Sequence, residues 1–553
     1  MAMAQINRHT IKVVGIFGGL SLLVLLPLLL PGYILTLDMV FTPVLRMPAE
    51  VSSSYLFHAA LHVLNIVVPS QVLQKLLLLA ILMLSGLGMY WLMRQLQQAK
   101  QSREYDEWGA LLAGALYMIN PYTYSRFMAG QYAVLLGYAL LPFFVRSSLR
   151  FMAAPTLKGV LKLTAWAAAI SIVSIHTLGL IAIVLGLELG IAVYRLRRRR
   201  SELATMVRYC LVGLTVFLLV SSYWVAPLVA GNNTQGRAVA AFAAGDRQAF
   251  ESSGGNTVKR IGNVLQLRGF WAEDRGLYQL PQNKLPGWPL VMLALWALAG
   301  IGAVAWWRQG QRAAAVLLAA CSFAVVLLSA TGLSSWLGAH SPLLSGFREP
   351  QKFVGLLALT YAVMIGQGVA VVLGRLDKQA AQSALNGAMV AVLLLPILYT
   401  PVMFWGFAGQ LRPRQYPADW FAINRLLTAD TSDGRVLFLP WHLYMSYGFA
   451  GRIIESPAAD FFARPVIASN ELEFMRASPT APNAQKSVLT HVVLPGAPKG
   501  TRLGYQLRPL HIKYVLLAKE YDYKKYDYLN RQQDLTRVRE TPHLILYEVT
   551  KHE

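Results

Sequence analysis

The sequence predicts a polytopic α-helical membrane protein of about eleven spans that ends in a small extracytoplasmic α/β domain. Three observations lead there. Of the 553 residues, 55% are hydrophobic and only 14% charged, where a soluble domain carries about 25% charged residues. Apolar runs near span length recur through the first three quarters of the chain. Beyond residue 411 no such run remains, and short apolar stretches alternate with turns.

The runs fall at about 13–35, 72–94, 108–120, 131–146, 160–175, 178–195, 207–229, 287–307, 313–337, 353–374 and 385–408. Those at 108–120 and 160–175 are short for a bilayer. Losing both keeps the parity of the count, and losing one reverses it. Much of the basic excess behind the net charge of +23 gathers in clusters between the runs, as in cytoplasmic loops, so nucleic acid is not the expected partner. The clusters are Arg94/Lys100/Arg103, Arg146/Arg150/Lys158/Lys162, Arg195 to Arg200, Arg308/Arg312 and Arg375/Lys378. All lie inside if the N-terminus does, and an odd span count then carries the C-terminus across. The expectation is a multi-pass cell-membrane protein with a cytoplasmic N-terminus and an extracytoplasmic C-terminal domain. Its first run is too long for a signal peptide and reads as an uncleaved span. Cys210 and Cys321 lie in apolar runs, which gives neither a disulfide framework nor a cysteine metal site.

This topology divides the chain into a membrane body, 1–410, and an outer domain, 411–553. Outer loops fall at 36–71, 120–131 and 230–286. Asp38, just past the first run, is the only acid among the first 49 residues. An ionisable group at a membrane boundary is costly to desolvate and marks a candidate site, although a solvated loop acid or a helix cap would look the same. Farther along the first loop, Ser54 to Val68 is amphipathic, with His58 and His62 four residues apart. No third ligand adjoins them, so a helix lying in the interface is expected rather than a metal site.

In the second loop Asn120-Pro121 breaks a helix, and Tyr122, Tyr124, Arg126, Gln131 and Tyr132 gather behind it. An aromatic belt with one anchoring arginine is the competing reading. The loop 230–286 is polar and long enough for a lid. A fourth stretch, Phe347-Arg348-Glu349-Pro350-Gln351-Lys352-Phe353, stands before a span. If Pro350 opens that helix, Arg348 and Lys352 face one anion, with Glu349 between them. Snorkelling at a span end is the alternative. In the outer domain, 435–440, 492–494, 513–517 and 543–549 read as strands, and 420–428 and 526–537 as helices. His442 is its one candidate site residue, with a packed histidine the more ordinary role.

Together these residues suggest a mouth where Asp38 is a base and Arg126, Arg348 and Lys352 bind an anion. Tyr122, Tyr124, Gln131 and Glu349 support them. This suits a reaction between a lipid phosphate and an acceptor hydroxyl arriving from outside. An Asp just after the first span, a many-span body and an outer C-terminal domain resemble the GT-C superfamily of membrane glycosyltransferases. Asn120-Pro121-Tyr122 through Gly130-Gln131, Leu136-Gly137-Tyr138-Ala139-Leu140-Leu141-Pro142, and Phe347 to Phe353 look like bacterial arabinofuranosyltransferase-type proteins. The resemblance covers residues 1–410. It implies inverting transfer of a sugar from a polyprenyl-phosphate donor to a glycan or glycolipid acceptor, with Asp38 as base and no cofactor. Many such proteins carry an acidic pair in this loop. Here Asp38 is alone, with Glu50 twelve residues on, which leaves metal dependence open. Two other classes compete. A flippase or exporter of a lipid-linked sugar should show ionisable residues deep in several spans, where His176 is the main exception in this chain. A non-catalytic envelope-assembly protein would not need Asp38.

Overall fold

The computed structural model describes residues 2–98, 105–230, 250–340, 349–469, 484–500 and 502–550. Its membrane body is helical. In chain order it contains α1 (Ala2–Leu25), α2 (Tyr55–Asn65), α3 (Ser70–Gln98), α4 (Asp106–Met118) and α5 (Pro121–Met128). Then come α6 (Tyr132–Ala153), α7 (Leu157–Val173), α8 (Ile175–Leu196), α9 (Arg200–Val229) and α10 (Thr257–Leu265). The body closes with α11 (Trp288–Arg308), α12 (Arg312–Ala330), α13 (Val354–Gln379) and α14 (Gln382–Tyr399).

Among the described residues, nine helices are long and apolar enough to cross a membrane, not eleven. The two that fall short are the two short runs, α4 with 13 residues and α7 with 17. At about 1.5 Å per residue, α4 reaches only some 20 Å of a core about 30 Å thick. Asn120 stops it, and its side chain caps the next helix by accepting from Thr123 N at 3.0 Å. Pro121 takes the first helical position, where its missing N–H costs nothing. The stretch 120–131, expected as an outer loop, is therefore mostly the helix α5, and all eight of its residues are buried.

Helices in lipid gain little by leaving one apolar medium for another, so close backbone contact at small residues carries their association. The central α13 shows this on two faces. A Cβ on Gly302 of α11 would stand 1.9 Å from the Met364 carbonyl oxygen, and one on Gly368 would stand 2.0 Å from that of Leu298. Towards α4, a Cβ on Gly109 would meet the Gly366 carbonyl oxygen at 2.3 Å.

The C-terminal segment opens with α15 (Ala418–Ala429) and contains seven strands among its described residues. These are β1 (Arg435–Leu439), β2 (Tyr444–Tyr447), β3 (Arg452–Glu455), β4 (Val466–Ile467), β5 (Ile512–Ala518), β6 (Leu535–Glu540) and β7 (Leu544–Val549). Five form a mixed sheet in the order β4-β1-β5-β7-β6, with β1 parallel to both its neighbours and β7 antiparallel to both of its own. β2 and β3 form a separate antiparallel hairpin that pairs Tyr444 with Glu455.

Two expectations fail here. Residues 492–494 are helical, because Leu489, Val493 and Ala497 repeat every four residues and are the buried ones, while Val492 is exposed. The stretch 526–537 splits into a 3₁₀ turn over Tyr523–Arg531 and the edge strand β6. The strands expected near 435–440, 513–517 and 543–549 are β1, β5 and β7, and the helix near 420–428 is α15.

A branched side chain at the tightest crossing has nowhere to go. Gly302→Leu or Gly368→Leu should destabilise the bundle by about 1–3 kcal/mol or more, seen as a lowered melting temperature in detergent. Gly300→Leu on the same helix, where a Cβ meets nothing within 4 Å, should melt like the parent.

Candidate active site

Asp38 sits on a tight turn, where Met39 N donates to Thr36 O at 2.7 Å and Leu37 takes φ +28°. The junction of α5 and α6 supports this turn from one side. Asp38 N donates to Ala129 O at 3.1 Å, and the Thr36 hydroxyl donates to Met128 O at 2.6 Å. Gly130 makes the approach possible. Its φ is +74°, and a Cβ there would stand 2.3 Å from Met39 N. From the other side comes the β2–β3 hairpin. Leu37 bridges Ile454 in parallel register, and Glu455 N donates to Leu37 O at 2.9 Å.

The half-buried Asp38 carboxylate is held at both oxygens. Tyr444 donates its hydroxyl to Oδ1 at 2.6 Å, and Gln131 Nε2 approaches Oδ2 at 3.3 Å. Burial raises the Asp38 pKa above the usual carboxylate range, and Glu349 adds to the rise. The hydrogen bonds from Tyr444 and Gln131 and the charge of Lys352 oppose it without cancelling it.

Gln131 joins Asp38 to a buried ionic group. Its Oε1 accepts from Arg126 NH1 at 2.7 Å, and its Nε2 approaches Glu349 Oε2 at 3.3 Å. The Arg126 guanidinium, fully buried, meets Glu349 Oε2 at 3.2 Å and lies over the Phe270 ring at 4.5 Å. Lys352 Nζ meets the other Glu349 oxygen at 3.4 Å. The group therefore carries two cations against one acid, a surplus of one positive charge. Arg348, expected as an anion binder, lies outside the described residues.

The two tyrosines are structural posts. Tyr122 OH donates to Lys352 O at 3.3 Å, and Tyr124 OH donates to Gln279 O at 2.7 Å. Phe270, under the Arg126 guanidinium, and Tyr278, edge-on to Tyr124 at 5.5 Å, are buried, so the described part of the expected lid, 250–286, packs onto this region through them. His58 and His62 each direct Nδ1 at a carbonyl, Ser54 O at 2.9 Å and Leu45 O at 2.6 Å. His442 is tied by Nε2 to Asp522 at 3.0 Å.

Sequence reasoning missed three residues. Tyr444 and Glu455 lie more than 400 positions from Asp38, yet the hairpin brings both to it. The period-2 stretch 444–455, with Gly448 and Gly451 at its turn, was the available signal. Glu50, considered as a second acid, is exposed; the carboxyls near Asp38 are those of Glu349, across Gln131, and of Glu455 on the hairpin. The third is Glu188, buried in α8, where the Ser148 hydroxyl donates to its Oε1 at 3.0 Å.

The chain is similar to the cryo-EM structure of arabinofuranosyltransferase AftD from mycobacteria, with TM-score 0.62 and 15% identity. The fold is of the GT-C type. Two structures of a substituted form of AftD match with TM-scores 0.60 and 0.55, at 15% and 13% identity. Each match covers 98% of this chain and 40–42% of the AftD chain, so the chain spans about two fifths of the length of these structures. No protein-family model and no curated protein matches the sequence.

Glu349→Gln would leave Arg126 and Lys352 buried without their carboxylate. Stability should fall by about 3–5 kcal/mol in a melting or denaturant measurement. Glu50→Gln, at an exposed position, should change it by less than about 0.5 kcal/mol.

Proposed function

We propose that this membrane protein is an inverting glycosyltransferase. It moves a sugar from a polyprenyl-phosphate donor to a glycan or glycolipid acceptor on the extracytoplasmic face. The observation that carries the reading is Asp38, a carboxylate clamped by Tyr444 and Gln131 just beyond a span and beside a group of surplus positive charge. The likeness to AftD supports the class of reaction, and the donor follows from the resemblance in the sequence.

The chemistry follows from that arrangement. The acceptor hydroxyl oxygen attacks the anomeric carbon while its proton passes to Asp38. The bond from that carbon to the phosphate oxygen breaks, and the phosphate leaves with the electron pair, so the configuration inverts. Arg126 and Lys352, together with Arg348, stabilise the charge that grows on the leaving phosphate. Arginine offers a planar fork to phosphate, and lysine a point charge.

Transport of a lipid-linked sugar is the second reading, favoured by the buried Glu188 in α8, since intramembrane acids mark many carriers. One experiment separates the two. Purified protein in lipid is given labelled polyprenyl-phosphate sugars and a panel of glycan acceptors. The transferase should make a glycosidic product, and Asp38→Asn should lower its rate by a factor of about 10² to 10⁴ while still binding donor. Full activity in Asp38→Asn would remove Asp38 from the mechanism, and no product from the parent would favour the carrier.

The pH dependence has a definite sign. Asp38 acts as a base only when ionised, and its pKa is raised. The rate should therefore fall as pH drops through a value above the ordinary carboxylate range, and recover above it. A limb in the ordinary range or below would contradict this assignment.

The reading also requires the site to face outside. Cysteines placed at the exposed positions Ser432 and Ser201 should label from outside and inside respectively. A Ser432 cysteine that labels only after permeabilisation would overturn the topology.

A further inference from the structure

We infer that the C-terminal hairpin completes the active site, with Tyr444 as the positioning residue for Asp38 and Glu455 as a further carboxyl beside it. This rests on the reading of Asp38 as the base. The geometry is continuous from backbone to side chain. Leu37, next to Asp38, is bridged to Ile454 and accepts a hydrogen bond from Glu455 N. Tyr444 stands opposite Glu455 in the hairpin register and donates to Asp38 Oδ1 at 2.6 Å. A turn with Leu37 at φ +28° gains a fixed orientation from such a clamp. A base held on one rotamer meets the acceptor hydroxyl without first being ordered.

The charges around the pair explain what Glu455 does. Asp38 is faced by Glu349 and Lys352 from the turn before α13, by Gln131 from the α5–α6 junction with Arg126 behind it, by Tyr132 from α6, and by Tyr444 and Glu455 from the hairpin. Glu349 is answered by Arg126 and Lys352. Among the described residues no ion pair joins Glu455 to a cation. It faces Asp38 and Asp460, which push it up, and Lys486, whose opposing effect is smaller. Asp460 itself is faced by Arg46 and His58. Burial, with the Asp38 charge behind it, pushes Glu455 up to about 8. At neutral pH Glu455 keeps its proton, and the Asp38–Glu455 pair carries one negative charge rather than two. A single charge leaves the base active without a second anion facing the donor phosphate. When Glu455 ionises in alkali, that second charge repels the phosphate.

The test is the pH profile of transfer by the full chain in lipid, using a labelled polyprenyl-phosphate sugar and a glycan acceptor. The parent should show two limbs, and above about pH 8 its KM for the donor should rise. Tyr444→Phe removes a hydrogen bond that favours the ionised Asp38, so its acid limb should move to higher pH. The optimal kcat should fall roughly ten- to a hundredfold through lost positioning. Glu455→Gln mimics the protonated side chain. It should lose the alkaline rise in KM that the parent shows. An unmoved acid limb in folded Tyr444→Phe overturns the role of Tyr444, and an alkaline limb that survives in Glu455→Gln overturns that of Glu455. Should Tyr444→Phe melt early, Glu455→Gln carries the test alone, because it keeps the strand pairing. Full activity in Asp38→Asn is the separate result that would refute the base itself.

Discussion

A carboxylate at a membrane surface works as a base only if it is dry enough to hold a raised pKa and still fixed in direction. The proposed role of Asp38 asks for both, and the Asp38 turn is wedged between two parts of the chain. The α5–α6 junction supplies Ala129 O and Met128 O beneath it, and the absence of a side chain at Gly130 lets the backbones touch. The C-terminal hairpin covers it from the other side, through Leu37, Ile454 and Tyr444. The same seam continues along the loop. Tyr33 and Arg414 exchange backbone hydrogen bonds at 2.7 and 2.8 Å, and Tyr416 donates its hydroxyl to Phe41 O at 3.1 Å. The C-terminal segment is thus the second wall of the site.

This arrangement also explains the cations. A cation buried as deeply as Arg126 is costly without an acid beside it, and Glu349 provides one at 3.2 Å. Lys352 shares that acid, and the surplus of one positive charge is what the proposed reading assigns to the donor phosphate. Glu349 thus holds both cations in place, Arg126 at 3.2 Å and Lys352 at 3.4 Å.

Much of the membrane body was legible because the bilayer imposes a length on every span. Apolar runs of span length became spans, and the runs at 108–120 and 160–175 became α4 and α7, below that length. The break at Asn120-Pro121 was readable, but not the helix that restarts behind it, since its helical face turns wholly inward. In the C-terminal segment, β1, β5 and β7 were plain from their β-branched and aromatic content. Residues 492–494 misled because valines favour strands locally, while the buried positions 489, 493 and 497 follow a helical period. Asp38, Arg126, Gln131, Glu349 and Lys352 were all singled out from local chemistry, and the fold joins them. Tyr444 and Glu455 were not, because nothing local in a short hairpin says which turn it will cover.

The central claim is that Asp38 and the Arg126–Glu349–Lys352 group embrace the two ends of one scissile bond. The most direct measurement is a structure of the protein in lipid with a non-transferable polyprenyl-phosphonate sugar bound. The account predicts the anomeric carbon beside the Asp38 carboxylate, with the phosphonate on the side of Arg126 and Lys352. A sugar headgroup seated at the opposite end of α6, near Arg146 and Lys162, would contradict it.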